Sequence, residues 1–185
     1  MSGVEVLFVV LFFVCIFLSA LFSSSETAFV SLQRIRLEYL VTTQVRGAGL
    51  VARLIERPEK LLSTILLGNN FVNTAAAALA TFLTVRIWGN QGILYATIGV
   101  TIIILVFSET TPKTIASRHA ERLSLVFARP VEVLSWLFTP FVAVLAWITS
   151  WLSKLIGGEP LPRSLASEEE IRTMISVGHK EGEVE

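Results

Sequence analysis

Four long uncharged runs constrain the fold of this chain more than any other feature. They cover residues 6–25, 61–85, 87–108 and 133–153, which are 20, 25, 22 and 21 residues without Asp, Glu, Lys or Arg. A membrane-spanning helix needs roughly 20 mostly apolar residues. The chain is 53% hydrophobic and 16% charged, with a mean hydropathy of +0.69, which disfavours a soluble globular protein. The runs predict an all-α membrane protein that crosses the bilayer several times.

The first run also has to be weighed as a secretion signal. Only Glu5 precedes it, so the basic segment that opens a signal peptide is missing, and the run is longer than a typical signal core. We therefore interpret the first run as a true span.

The fourth run has a pattern that fits two placements. Pro130 and Pro140 are expected to interrupt its helix. Trp136, Trp147 and Trp151 fall near one helical face, and tryptophan prefers the membrane–water interface. A bent helix lying in the inner leaflet and a fourth crossing both remain open.

Basic residues between the runs predict the orientation, since cytoplasmic segments are enriched in Lys and Arg. Six bases lie between runs one and two, only Arg86 lies between runs two and three, and four lie between runs three and four. This distribution predicts an external N-terminus and a cytoplasmic end of the third run. The C-terminus is expected to be cytoplasmic as well if the fourth run lies in the inner leaflet. Because fifteen bases balance fifteen acids, nothing in the overall charge points to nucleic acid as a partner.

The last thirty residues change in composition. Residues 157–162 form a linker rich in glycine and proline, and Ser167 followed by three glutamates predicts the start of a helix with an acidic first turn. The chain then ends without a packed domain, which leads us to expect a piece of a longer protein.

Polar side chains inside the runs are the candidates for function, because they are costly in hydrocarbon. Their oxygen atoms, with no His or Cys nearby, suit hard cations such as Mg²⁺, Ca²⁺ or Na⁺. A helical rise of about 1.5 Å per residue places all of them in the inner half of the membrane. The candidates are Ser23 and Ser24 in the first run, Asn70 and Asn73 in the second, and Glu109 just after the third.

Each candidate also has a purely structural interpretation. The serines can serve helix packing, and the asparagines can join helices by hydrogen bonds, as Asn69 can. Glu109 can reach water or pair with Lys113, four residues on. Pro112 lacks an N–H and should leave the carbonyl of Ser108 without its helical partner, which adds one more oxygen.

Four motifs in order give the chain a specific likeness. Residues 21–29 (LFSSSETAF), 66–74 (LLGNNFVNT) and 107–113 (FSETTPK), with a tail that begins SEEEIR at residue 167, resemble the CNNM/CorC family and its DUF21 membrane domain. The resemblance implies a homodimeric Mg²⁺ transporter of the cell (inner) membrane that exports Mg²⁺ in exchange for Na⁺. It also implies three transmembrane helices per protomer, followed by juxtamembrane helices.

The resemblance further implies a division of the chain. Residues 1–118 would form the three-helix membrane domain, 119–156 the juxtamembrane helices, and 157–185 a linker and acidic helix. The last part would lead to cytoplasmic CBS domains, through which ATP would bind. The Mg²⁺ ligands would be found among Ser23, Ser24, Asn70, Asn73 and Glu109.

Other functions remain open from the sequence. A membrane anchor that senses Mg²⁺ without moving it, or a cation channel, would carry the same runs and polar residues. An enzyme is disfavoured, because neither a nucleophile–base pair nor a phosphate-binding glycine loop is found in the sequence.

Overall fold

The computed structural model describes residues 3–155, and within that range every regular element is helical. A π-helical segment, Ile104–Thr110, lies between α5 and α6. The α-helices are α1 (Gly3–Ser31), α2 (Arg34–Thr42), α3 (Ala48–Ile55), α4 (Pro58–Trp88), α5 (Gln91–Ile103), α6 (Thr111–Arg118), α7 (Ala120–Leu137) and α8 (Thr139–Leu155).

Three helices are long and apolar enough to cross a membrane. They are α1, α4 and one continuous helix, Gln91–Arg118, which contains α5, the π-helical segment and α6 and is called the third span below. A short turn at Gly89, whose φ is +62°, joins α4 to α5. The all-helical fold with three candidate spans is therefore confirmed for the described residues.

Helices α7 and α8 contain the fourth run. They are long and apolar enough to cross a membrane only when taken together, as a bent pair broken at Phe138. The break lies next to Pro140, as predicted, but Pro130 lies inside α7 and does not interrupt it, so that part of the prediction is wrong. An internal proline removes one hydrogen bond, and buried Ala128 and Val131 hold α7 together across it. Whether the fourth run crosses or lies flat stays open.

Helix α1 is the centre of the packing and contacts α4, the third span and α7. One cluster of buried apolar side chains joins it to α4 and α5: Phe12, Ile16, Ala76, Ala80 and Val100. A second cluster lies toward the other end of α1: Phe29, Leu37, Val51, Leu61, Ile65, Ala128 and Val131. Side chains of α2, α3, α4 and α7 take part in this second cluster.

The two base-rich segments meet at one end of the three spans, which we call the basic end. Arg36 of α2 donates to Glu121 of α7, with 2.7 Å between Nε and Oε2. This hydrogen bond, together with the charge of Glu121, raises the pKa of the Arg36 guanidinium above its ordinary value. At the opposite end, Arg86 Nε lies 3.0 Å from Glu5 Oε1. Thus α1 and the third span run parallel, and α4 runs antiparallel to both.

Residues 3–144 form one compact unit, and the described residues from Leu145 onward belong to a second. The predicted linker at 157–162 and the acidic helix that begins at Ser167 lie outside the described residues. The homodimer, the juxtamembrane placement of α7 and α8, and the domain boundaries stay predictions.

Candidate functional site

The seam between α1 and α4 brings polar side chains into direct contact. Ser19 donates from Oγ to Asn69 Oδ1 at 3.0 Å. One turn along α1, the Phe22 ring lies against Gly68, where a Cβ atom would come within 2.5 Å of the ring. Gly68 therefore lets the two helices approach closely at the level of the polar pair.

Ser23 is the most unusual of the predicted ligands. It is fully buried, and its Oγ has no hydrogen-bond partner among the described residues. Ser25, equally buried, instead donates to the carbonyl of Phe22 at 2.8 Å. Ser24 lies between them and is half-buried. Buried polar atoms are normally paired, so the Ser23 oxygen has a binding capacity that the described side chains do not use.

Among the three asparagines of α4, Asn73 shows the same feature. Its Oδ1 is buried and has no hydrogen-bond partner in the described part of the chain. Asn69, four residues earlier and on the same helical face, is already paired with Ser19. Asn70 lies on an exposed side of α4. The structure therefore places Asn69 and Asn73, rather than Asn70, at the seam.

Ser23 and Asn73 both lie on this seam, one on each helix. The contacts at Ser19–Asn69 and Glu5–Arg86 fix the register of the two antiparallel helices. They place the Cα levels of Ser23 and Asn73 about six residues, or roughly 9 Å, apart along the axis. The general tilt of side chains toward the N-terminus of their helix shortens this gap, and the Ser19–Asn69 hydrogen bond lies between the two levels.

The third span widens where it passes this region. The π-helical segment ends at Thr110, two residues before Pro112, the proline that we expected to free the Ser108 carbonyl. Ser108 is buried, and its Oγ donates to the carbonyl of Ile16 in α1 at 3.2 Å. Pro112 therefore coincides with a wider helical turn rather than a break, and such π-turns are frequent at functional sites.

Glu109 lies in the last turn of the π-helical segment, about level with Phe17 of α1. Its carboxylate is paired with Lys113, at 3.2 Å between Oε1 and Nζ, and its side chain is still 47% exposed. The sequence left two structural interpretations of Glu109, contact with water and pairing with Lys113, and the structure shows the pairing. Glu109 also lines a cavity of about 330 Å³ between α4 and the third span, with Ala77, one turn from Asn73.

Two features of this region were missed by reasoning from the sequence. Ser19 was not singled out, although it precedes Ser23 by four residues and so shares its face. The contact between Glu26 Oε2 and Lys113 Nζ, at 3.5 Å, was also not predicted. Within residues 3–155 there is no group of three or more His, Cys, Asp or Glu that could hold a metal. A cation site here must therefore rely on neutral oxygens around few charges.

Comparison with known proteins identifies the relatives of this chain. The family described as "Cyclin M transmembrane N-terminal domain", or CNNM, matches residues 10–185. A UPF0053 protein of Haemophilus influenzae is 38% identical over 171 residues, which cover 92% of this chain and 40% of that protein. The UPF0053 inner membrane protein YfjD of Escherichia coli is 34% identical over 160 residues, covering 85% and 37%.

More distant relatives carry the DUF21 designation that the motifs suggest. A chloroplastic DUF21 domain-containing protein of Arabidopsis thaliana is 30% identical over 168 residues, covering 91% of this chain and 26% of that protein. The chain thus spans about 40% or less of the length of these relatives. The likeness concerns a membrane domain, and it leaves the rest of those proteins unmatched.

Proposed function

Because the chain belongs to the CNNM family of transmembrane domains, we propose that it is the membrane domain of a Mg²⁺ transporter. Its substrate would be Mg²⁺ moving out of the cell, driven by Na⁺ moving in. Multi-pass membrane placement follows from the three candidate spans and from the inner membrane relative. The ion, its coupling to Na⁺ and its binding site are the proposal.

The observation that carries the proposal is the pair of buried, unpaired oxygens at Ser23 and Asn73. Leaving a buried polar atom unpaired costs about 1–3 kcal/mol, and two such atoms lie on one seam. A cation with its remaining waters would satisfy both oxygens. Oxygen ligands suit Mg²⁺ in particular because it takes hydroxyl, amide and carboxylate oxygens and keeps part of its water shell.

Glu109 supplies the negative charge in this proposal. It is the acidic residue nearest to the α1–α4 seam in the third span, and the cavity that it lines extends to within a turn of Asn73. A single carboxylate among neutral oxygens makes a site from which the ion can leave, as transport requires. Ser24 and Asn70 complete the predicted ligand set, but Asn70, being exposed, would need to turn toward the seam.

The orientation follows from the basic end. The base-rich segments that follow the first and third spans pack together there, and the positive-inside rule supports a cytoplasmic location of that end. The N-terminus would then lie outside. Glu26 and Lys113 lie toward this end, so the proposed site would open to the cytoplasm.

The remaining partners follow from the family. We expect a homodimer, and we expect any ATP to bind at CBS domains of the kind that the family resemblance implies rather than at residues 3–155.

The experiment that tests the proposal measures Mg²⁺ flux in proteoliposomes with and without a Na⁺ gradient. We expect saturable, Na⁺-gradient-dependent flux from the wild type. Glu109→Gln should reduce flux at least about tenfold, since even an outer partner of a metal ligand is worth about 10–100-fold. Glu38→Gln removes an exposed carboxylate of α2 and is the matched control.

Each alternative gives a different result. Flux that neither saturates nor depends on Na⁺ would indicate a channel. Mg²⁺ binding without any flux would indicate a sensor or anchor. Normal flux in Glu109→Gln would remove Glu109 from the site.

A further inference from the structure

We propose that the Lys113 ammonium pairs with the Glu109 carboxylate when no Mg²⁺ is bound and moves to the Glu26 carboxylate when Mg²⁺ binds. Lys113 would then act as a tethered cation. The inference rests on the proposed function, because it concerns the same site. It adds a positioning residue that neither the sequence motifs nor the ligand geometry assign.

The geometry that carries this proposal is a cluster of three charged side chains. The Nζ atom of Lys113 lies 3.2 Å from Glu109 Oε1 and 3.5 Å from Glu26 Oε2. Glu109 and Lys113 are on the third span, whereas Glu26 is on α1. The ammonium group therefore touches two carboxylates at once, and a small rotation of a flexible side chain changes which of them it favours.

The charges of this group explain why such an exchange is favourable. Glu26, Lys113 and Glu109 together carry one negative charge. A divalent cation at Glu109 repels the ammonium only a few ångströms away, and an ion pair in partly buried surroundings is strongly distance-dependent. Glu26 gives the displaced ammonium a partner, since its side chain is only 24% exposed and stays beside it.

The consequence for transport is a lower affinity and a faster release. The ammonium competes with Mg²⁺ for the Glu109 carboxylate, so it weakens binding. By the same competition it speeds dissociation of the ion. A lysine that only joined α1 to the third span would affect stability and would leave both of these properties unchanged.

The test compares Lys113→Gln, Lys113→Arg and Lys60→Gln in the folded chain, using Mg²⁺-dependent thermal stabilisation for affinity and proteoliposome flux for rate. We expect Lys113→Gln to bind Mg²⁺ about tenfold more tightly, equivalent to about 1.4 kcal/mol, with a lower half-saturation concentration and a lower maximal flux. Lys113→Arg keeps the charge and should behave as the wild type. Lys60→Gln removes a lysine in the first turn of α4, outside this cluster of charged side chains, and is the matched control.

A second variant has the opposite expected sign. Glu26→Gln removes the alternative partner, so the ammonium should hold Glu109 more firmly and the Mg²⁺ affinity should fall several-fold. This variant keeps the proposal testable if Lys113→Gln fails to fold.

The outcomes separate this inference from the proposed function. If Lys113→Gln is folded but its affinity is unchanged or weaker, the tethered-cation proposal is overturned; lower thermal stability alone would show a purely structural link. If Glu109→Gln weakens binding at the same time, the proposed site survives. If Glu109→Gln binds Mg²⁺ normally, both proposals fail.

Discussion

Replacing Ser23 by alanine should have opposite effects on the ion-free and the Mg²⁺-bound protein. The Ser23 hydroxyl is fully buried, and the described residues provide no partner for its oxygen. Ser25, two residues away and equally buried, donates to the Phe22 carbonyl at 2.8 Å. Ser25→Ala is therefore a matched control that removes a satisfied hydroxyl of the same size from the same helix.

The magnitudes follow from these two environments. An unpaired buried hydroxyl costs about 1–3 kcal/mol, whereas a satisfied hydrogen bond contributes about 0.5–1.5 kcal/mol. Without Mg²⁺, Ser23→Ala should be at least as stable as the wild type, and Ser25→Ala should be about 1 kcal/mol less stable. A gap of about 2 kcal/mol between the variants corresponds to about 4–8 °C in Tm for a chain of this size.

Thermal unfolding of the purified protein in detergent, with and without Mg²⁺, measures both effects. Mg²⁺ at about 100 times its Kd should stabilise the wild type by about 2.7 kcal/mol, and Ser25→Ala should retain most of that gain. Ser23→Ala should lose it. If Ser23→Ala destabilises the ion-free protein as much as Ser25→Ala does, the inference from the unpaired oxygen is refuted.

Two further predictions concern packing and charge. Gly68→Ala should be about 1–3 kcal/mol less stable than Gly99→Ala by thermal unfolding. A Cβ at Gly68 would lie 2.5 Å from the Phe22 ring, whereas one at Gly99 would meet nothing within 4 Å. Equal stability of the two variants would contradict close packing at the seam. The Arg36–Glu121 pair is exposed. A double-mutant cycle with Gln at both positions should therefore give a small coupling free energy that falls as the salt concentration rises. A coupling free energy that does not change with salt would show that the pair is shielded from water.

The course of the helices through the membrane could be predicted because it depends on length and composition. Runs of 20 residues or more without a charge leave few alternatives to spanning helices. The turn at Gly89 likewise has local causes, since glycine readily adopts the positive φ found there. The effect of Pro130 could not be predicted, because packing of Ala128 and Val131 against other helices decides whether α7 continues.

The site was harder to predict than the spans. Side-chain chemistry identified Ser23, Ser24, Asn70, Asn73 and Glu109 as candidates, but which asparagines of α4 lie at the seam depends on which face of α4 meets α1. The structure answers this through contacts at Ser19 and Phe22 that lie some 50 residues away in sequence. Such a register between helices leaves no local signal in either sequence segment.

The pairing of Lys113 with Glu26 has the same origin. The spacing of Glu109 and Lys113 already allows their contact within one helix. The contact with Glu26, in contrast, requires α1 and the third span to run in parallel at a particular register. The hydrogen bond from Ser108 to Ile16 reports that register, and only the folded chain contains it.

The most direct test of the central claim is to locate the ion. Crystals of the protein grown with Mn²⁺ in place of Mg²⁺ would give an anomalous signal at the bound metal. We expect a peak between α1, α4 and the third span, about 2.1 Å from a Glu109 oxygen and from Ser23 Oγ or Asn73 Oδ1, and we expect added Mg²⁺ to abolish it. A peak away from all three residues, or none at these residues at saturating Mn²⁺, would contradict the account.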